Sequence, residues 1–407
     1  MCREECLTEA QYYTRGFGLK PQIEGQLSED YRSRIVDYLK AHDFTLRAGD
    51  LTFRLAAEFG FCYGVDRAVE YAYETRTRFP ERNLFITGEI IHNPHVNQRL
   101  KDMGIRFLNG GAGADEWNRL GDRDVVILPA FGVTVDQMAL LREKGCTLVD
   151  TTCGSVLNVW KNVERYARDG FTSLIHGKYS HEETRATASR TSLHPHGKYL
   201  VVRDLEETAQ VARFIRTGGS GVDFLLHFAP ACSRGFNPET DLVRVGLANQ
   251  TTMLSSESLQ VAEEIRRAIL ERYGEAALGE HFRSFDTICS ATQDRQDAVV
   301  KLLQSGISLL LVIGGYNSSN TNHLAEIADQ KVPTYHIEDA GCLLDTSSIR
   351  YKPAGGKETR LGWHWLPEGP TVIGITAGAS TPNNRIGEVI ERILEFRGQD
   401  IRHVPPE

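Results

Sequence analysis

Three segments of this chain repeat one pattern: a short strand-like run, then a cysteine, then a helical run. They are FRLAAEFGFCYGVDRAVEYA, TLVDTTCGSVLNVWKNVERYA and FRSFDTICSATQDRQDAVVKLL. Two of them carry Asp-Thr-x-Cys, at 150–153 and 286–289. After Cys62, apolar or small residues fall at 65, 68, 69 and 72; after Cys153 they fall at the same offsets, 156, 159, 160 and 163. Such spacing marks one face of a helix. The third copy keeps Val299 at the common offset, but Thr292, Arg295 and Gln296 depart from it. The pattern implies three similar α/β lobes, each offering one cysteine where a strand ends and a helix begins, which is where α/β proteins place their sites.

The rest of the chain agrees with that class. Short apolar runs at 51–56, 84–88, 125–130, 173–177, 199–202, 223–228, 243–248, 308–315 and 371–376 are separated by helical patterns in many places, which predicts α/β layers with largely parallel sheets. The expected organisation is an N-terminal extension over 1–50, lobes over 51–152, 153–288 and 289–398, and a C-terminal tip over 399–407. The extension holds turn residues and one amphipathic stretch, Tyr31–Lys40. Segments 229–241 and 342–369 read as a surface insertion and a loop or extension.

With 46 basic and 54 acidic residues the net charge is −8, so the overall field does not favour nucleic acid, and an anionic ligand must be held by local groups. The longest apolar run, ISLLLVIGG (307–315), has the length of a buried strand, not of a membrane span. The N-terminus MCREECLTEAQYY is acidic and lacks an apolar targeting core, which points to the cytoplasm. The eight cysteines are dispersed and read as thiols, metal ligands or core residues, not as a disulfide framework. Cys2 and Cys6 lack the third nearby cysteine of a radical-SAM site and read as a frayed terminus; Cys146, Cys232 and Cys342 read as structural or loop thiols.

A single cysteine after a strand is more often a small buried residue than a ligand. Three with shared flanks, around a pseudo-threefold axis, can instead hold three irons of a cubane cluster and leave the fourth open to substrate. The helix N-termini that follow would stabilise thiolate and cluster charge.

GFCYGVDRA (60–68), EIIHNPHV (89–96), DTTC (150–153), HEET (181–184), NQTTM (249–253), DTICSATQDRQ (286–296), YNSSNTNHLAEIA (316–328) and TAGAS (376–380) occur in that order. Together they resemble the 4-hydroxy-3-methylbut-2-enyl diphosphate reductase family over roughly residues 52–395, and the long N-terminus and the HGKYSHEET segment resemble its cyanobacterial and plastid branch. The resemblance implies a trefoil-like fold of three α/β lobes around a [4Fe–4S] cluster held by Cys62, Cys153 and Cys289. It further implies reductive removal of an allylic hydroxyl to give isopentenyl and dimethylallyl diphosphate, with electrons from ferredoxin or flavodoxin.

Residue by residue, it points to Glu183 as proton donor and Thr251 as its relay partner, with the adjacent Glu182 standing where the family often has proline. His92 and His181 match substrate-binding imidazoles, and Ser380 matches a phosphate ligand. Ser318, Ser319 and Asn320, between a strand and a helical run, form a plausible anion nest. Ser380-Thr381-Pro382 has the cap and early-proline pattern of a helix start. Phe131 stands where many bacterial members carry a phosphate-binding histidine. Two alternatives are a redox-neutral three-cysteine dehydratase, which would call for arginine or lysine clamps on a carboxylate, and a non-enzymatic Fe–S sensor, which would carry a basic DNA-binding element. No G-x-G-x-x-G follows a strand, so no nicotinamide or flavin is expected on this chain.

Overall fold

The computed structural model describes residues 12–108, 114–285 and 287–399. Cys2, Cys6, Asp286 and all of the predicted C-terminal tip after Gln399 lie outside the described residues. The chain divides into two compact units. One comprises the chain through Arg15, Glu81–Ile90 and Arg106–Cys289; the other comprises Gly16–Pro80, Ile91–Ile105 and the chain from Ser290.

The first unit carries two sheets. In one, the strand order is Tyr12–Tyr13, Thr147–Asp150, Val125–Leu128, Leu84–Thr87, Ile105–Leu108, and in the other Phe282–Ser284, Val245–Asn249, Thr172–His176, Tyr199–Val202. The pairings through Thr147–Asp150 and Val125–Leu128 are parallel, as are all those of the second sheet. Every residue of Val125–Leu128, Thr147–Asp150, Thr172–His176 and Val245–Asn249 is buried. That is why these strands read as continuous apolar runs and do not alternate: parallel sheets are covered by helices on both faces.

The second unit carries the third sheet, in the order Thr334–Ile337, Leu309–Ile313, Thr371–Ala377, Leu51–Leu55, Thr45–Ala48. Its first four strands are parallel and the last is antiparallel. Three α/β sheets thus match the three lobes implied by the repeat, and each of the three cysteines follows a strand of a different sheet.

The helices after two of these cysteines pack on the next sheet rather than on their own. Gly154–Arg168 follows a strand of the first sheet, yet its Val159 and Val163 pack with Ile175, Val201 and Ala248 of the second. Ser290–Leu303 follows a strand of the second sheet, and its Val299 and Leu302 pack with Leu310 and Val312 of the third.

Three local expectations change. The apolar run 223–228 is not a strand but part of the helix Gly221–Phe228, capped by Ser220, because Phe224 and Phe228 fall at i and i+4 and both go inward. Segment 229–241 folds as a short turn of helix, Ala229–Ala231, and the helix Pro238–Asp241, with Phe236 buried in the core between them. Within 342–369, Ser348–Tyr351 and Arg360–Trp363 form an antiparallel ribbon whose Ile349, with Trp365, joins the core of the third sheet.

The amphipathic stretch near residue 35 is the helix Arg34–Ala41, whose Ile35, Val36 and Leu39 are core residues of the third sheet. The preceding helix, Lys20–Tyr31, is joined to Tyr63–Arg78 by buried polar groups. Glu74, 1% exposed, accepts the backbone N–H of Phe17 at 2.5 Å and of Leu19 at 2.7 Å. Asp30 accepts the Tyr73 hydroxyl at 2.6 Å and the Arg99 Nε at 2.9 Å.

His336, on the edge strand of the third sheet, is equally enclosed. Its Nε2 lies 2.9 Å from the carbonyl of Gly314, and burial lowers its pKa to about 4.

Two consequences are measurable. Glu74→Ala leaves the N–H groups of the half-buried Phe17 and Leu19 without this acceptor and should lower the unfolding free energy by about 2 kcal/mol, read from the urea midpoint, with faster proteolysis before residue 20. His336 favours its neutral form in the fold, so its stabilisation is complete above pH 6.5 and is lost as pH falls from 6.5 through about 4. That contribution is about 3 kcal/mol, and His336→Gln, which keeps a donor but does not titrate, should flatten the slope of stability over this window.

Candidate active site

In the first unit, the strand Thr147–Asp150 ends in a loop whose backbone is fully committed. Asp150 accepts the N–H of Thr152 at 2.9 Å and the hydroxyl of Tyr12 at 2.5 Å, Thr151 Oγ1 donates to the Leu128 carbonyl at 2.6 Å, and the Cys153 N–H donates to Ala130 at 3.0 Å. Cys153 therefore takes the N-cap position of Gly154–Arg168, in extended conformation. Burial pushes its thiol pKa up; the nearby Cys289 thiol adds to this, and hydrogen bonds from Ser155 oppose it. The Ser155 hydroxyl lies 3.4 Å from Cys289 Sγ. Cys62, Cys153 and Cys289 are all free thiols.

The strand Thr172–His176 leads to the helix Glu182–Ser189, capped by His181, whose Nδ1 accepts the Glu183 N–H at 3.1 Å. That bond leaves the ring proton on Nε2. The parallel neighbour Val245–Asn249 leads to Thr251. Glu183, 1% exposed, is gripped through both carboxylate oxygens: Oε1 accepts the Thr251 N–H at 2.6 Å and Oε2 its hydroxyl at 3.0 Å. Glu182, one residue earlier, is exposed. The buried glutamate is thus the one chosen by register from His181. Phe131 meets His181 edge-on, with ring centres 5.6 Å apart. The Thr287 hydroxyl donates to Asn249 Oδ1, which ties the segment before Cys289 to the strand that delivers Thr251. This unit brings together Cys153, Cys289, His181, Glu183 and Thr251.

In the second unit, Cys62 caps Tyr63–Arg78 and its N–H donates to Ala379 at 3.2 Å. The strand Leu309–Ile313 turns at Gly314 and Gly315 into the helix Ser319–Asp329, with Ser318 as cap: its Oγ accepts the N–H of Thr321 at 3.4 Å and its hydroxyl at 2.9 Å. A side chain on Gly315 would stand 2.8 Å from the His92 carbonyl, so glycine allows that close approach. Asn320 Oδ1 accepts the Ala379 N–H at 2.9 Å, while its Nδ2 is buried with no hydrogen-bond partner among the described residues.

Ser380 does not cap the following helix. Asn383–Phe396 starts one step after Pro382, and the Ser380 hydroxyl donates instead to the His92 carbonyl at 3.0 Å. His92, Ser318, Ser319, Asn320 and Ser380 are all buried, and these bonds bring them together within the unit.

Two residues escape the motif reading. Arg295, 3% exposed, donates from Nε and Nη2 to the Gly60 carbonyl at 3.2 and 2.7 Å and from Nη1 to Ala291 at 2.7 Å. It fastens the turn before Cys62 to the first turn of Ser290–Leu303. The signal for it was present, since Thr292, Arg295 and Gln296 are the positions that break the apolar repeat, and all three are buried. Lys352, from the ribbon segment, donates to the Tyr316 carbonyl at 2.7 Å and to Asn322 at 2.9 Å, which sets an ammonium beside the 317–320 turn. No local pattern in KPAGGKE announces this.

The donor sets match two kinds of group. Cys62 and Cys153 cap helices without making a side-chain cap bond, so those helix N-termini keep N–H donors for an anionic group beside the sulfurs. The orphaned Asn320 amide and the helix start at Ser319 match an anion's oxygens.

Comparison with known proteins agrees. The family model described as LytB protein matches residues 53–394. The 4-hydroxy-3-methylbut-2-enyl diphosphate reductase of Gloeobacter violaceus is 50% identical over 392 residues, covering 95% of this chain and 93% of that protein. The enzyme of the same name from Thermosynechococcus vestitus is 48% identical, covering 95% of each. A solved structure of (E)-4-hydroxy-3-methyl-but-2-enyl diphosphate reductase, described as the terminal enzyme of the non-mevalonate pathway, matches with a TM-score of 0.52 at 28% identity, over 84% of this chain and 99% of that one. The E-1-hydroxy-2-methyl-but-2-enyl-4-diphosphate reductase of Plasmodium falciparum shares the fold, with a TM-score of 0.62 at 20% identity over 85% and 90%. From a model match spanning most of its length and relatives near half identity, the chain belongs to the LytB family.

Proposed function

We propose that this chain reduces 4-hydroxy-3-methylbut-2-enyl diphosphate to isopentenyl and dimethylallyl diphosphate, the last step of the non-mevalonate isoprenoid pathway. The observation that carries this is the set of three free cysteines, one after a strand of each sheet and each at the start of a helix. Cys62, Cys153 and Cys289 would hold a [4Fe–4S] cluster, which supplies electrons and a Lewis-acidic iron when bound.

The balance of the reaction defines what the other residues must do. The allylic C–O bond breaks with two electrons and two protons; one proton leaves with the hydroxyl as water, and the other goes to either end of the allyl unit, which yields two isomers. Glu183 is the source of the proton for the departing hydroxyl. In its charged form the carboxylate accepts both Thr251 donors. Once protonated it donates to Thr251 Oγ1, and the Thr251 hydroxyl passes its own proton to the substrate. Burial of this pair keeps the relay away from bulk water.

The diphosphate is held by the helix start at Ser318–Asn320, by Ser380 and by the imidazoles of His92 and His181, with Asn320 Nδ2 supplying an uncommitted donor. Phe131 replaces a phosphate-binding imidazole with a ring that steadies His181. The electrons come one at a time from an external carrier, a ferredoxin or flavodoxin. The proposed location is the cytoplasm; among the described residues no helix is long and apolar enough to cross a membrane.

The test is anaerobic turnover of the hydroxylated diphosphate with reduced methyl viologen after reconstitution with iron and sulfide. Both five-carbon products should form. Glu183→Gln should keep the cluster absorbance and lower kcat by about 10²–10⁴-fold, and Cys153→Ser should lose the absorbance. A loaded protein that consumes no electrons and forms no product would refute the reading.

A further inference from the structure

Three arginines of the first unit, Arg168, Arg244 and Arg283, converge on one turn, Asp169–Phe171, and a fourth, Arg165, stands over Phe285. Arg168 Nε lies 3.1 Å and Arg283 Nη1 2.6 Å from the Asp169 carboxylate, and Arg244 Nη1 donates to the Asp169 carbonyl at 3.0 Å. The guanidinium carbons of Arg244 and Arg283 lie 4.2 and 4.1 Å from the ring centre of Phe171. Arg165 stands 4.0 Å over the ring of Phe285, and beneath the arginines the buried Tyr166 packs between Phe171 and Phe285. Glu239 and Asp241 share the adjoining pocket with Arg244, but Lys198 stands there with them. Asp169, Glu239 and Asp241 stand against the four arginines and Lys198, which leaves a local excess of positive charge on a chain whose net charge is −8.

The position of this face in the fold is as telling as its charge. Arg165 and Arg168 end the helix that starts after Cys153, and Arg283 lies on the edge strand that leads to Cys289. Phe285 is 40% exposed, and beside it Leu259 is 60% exposed. Both line a cavity of about 210 Å³ whose wall also includes Thr287 and Ile288. Phe285 stands four positions before Cys289, a reach of at most about 14 Å.

From the apolar spot, its arginine rim and the nearness of Cys289, we infer that this face is the docking surface for the electron donor, a small acidic one-electron carrier protein. The inference rests on the reductase reading, which requires single electrons from outside. Opposite charge steers the carrier to the face, and contact over Phe285 and Leu259 brings its redox centre against the segment that delivers Cys289. Arginine suits such a rim because its flat guanidinium both pairs with carboxylates and lies over aromatic rings.

The test compares two reductants on the reconstituted full chain: reduced plant-type ferredoxin, which is acidic, and methyl viologen, which needs no docking. Arg168→Glu and Arg283→Glu together should raise the KM for ferredoxin at least about 10-fold and blunt the fall in rate with added salt, while the viologen-driven rate and cluster absorbance stay at wild-type values. Asp169→Asn, which removes the acid paired with Arg168 and Arg283, should lower the KM for ferredoxin at low salt.

An unchanged KM in the double variant overturns the proposal. So does an equal fall of both rates, which would make the arginines merely structural, and so does capture of a single-stranded oligonucleotide at this face without capture of ferredoxin. A wild-type chain inactive even with viologen refutes the reductase reading instead. Salt-sensitive ferredoxin binding, followed by chemical-shift perturbation on labelled carrier and lost in the double variant, then still decides the docking.

Discussion

A helix that begins where a strand has just ended has backbone N–H groups that no earlier turn can pair, and much of this molecule is arranged around where those groups point. At Ser33, Asn93, Thr134, Asp204, Ser220 and Ser318 a side-chain oxygen accepts one of them. At Cys62 and Cys153 the capping residue makes no such bond. An uncapped N-terminus is ordinarily a small loss of stability. Here it leaves a positive end of the helix dipole directed past a thiol, which favours thiolate and any anionic group held there. The sheets cannot relieve this by extending their strands, because after Cys153 and Cys289 the chain leaves one sheet to cover the next. Strand end, cysteine and crossover are the same few residues.

Fixing the thiols then falls to the backbone just ahead of them. Asp150 and Thr151 tie down the approach to Cys153, Thr287 ties the approach to Cys289 to Asn249, and Arg295 ties the approach to Cys62 through Gly60. A guanidinium buried among carbonyl oxygens costs desolvation, and Arg295 has no carboxylate partner among the described residues to offset it. Its donors are matched instead by carbonyl acceptors, one of them at a residue with φ of +65°. Glycine is required there, and a side chain would stand 3.1 Å from the Thr381 carbonyl. The same principle governs Glu183: a buried carboxylate is tolerable because Thr251 offers it two donors.

How much of this is legible in the residues depends on whether the signal is local. The α/β class and the three-sheet count follow from apolar runs of strand length and from a repeat that any α/β lobe must satisfy. Glu183 and Thr251 stand out through motifs with which they share short, rigid turns. Arg295 was visible only as a misfit, since a buried polar residue at an apolar offset looks like a weaker repeat until its acceptors at Gly60, distant in sequence, are known. Lys352 and His336 depend wholly on contacts made across the sheet. The run at 223–228 misled because a six-residue stretch with four apolar residues suits a strand or a buried helix equally well, and the cap at Ser220 decides for the helix.

The segment before residue 51 shows the limit of reading polarity as exposure. Its composition is that of an appendage, yet it completes both units. In the first, Tyr12–Tyr13 extends a parallel sheet beside the strand that leads to Cys153, and the Tyr12 hydroxyl reaches Asp150 at the head of that loop. Burial and the Asp150 carboxylate push the Tyr12 pKa upward, so the phenol stays a donor across the physiological range. In the second, Leu46 and Ala48 fill the third sheet beside Leu51–Leu55, Glu74 binds the backbone of Phe17 and Leu19, and Asp30 of the segment accepts from Tyr73 and Arg99, by charge-assisted hydrogen bonds. Polar residues are abundant there because the segment is fastened by buried hydrogen bonds as much as by apolar area. The bonds to Asp150, Glu74 and Tyr73 end on elements that lead to Cys153 or follow Cys62. A segment so connected holds the strand before Cys153 and the helix after Cys62 to their neighbours.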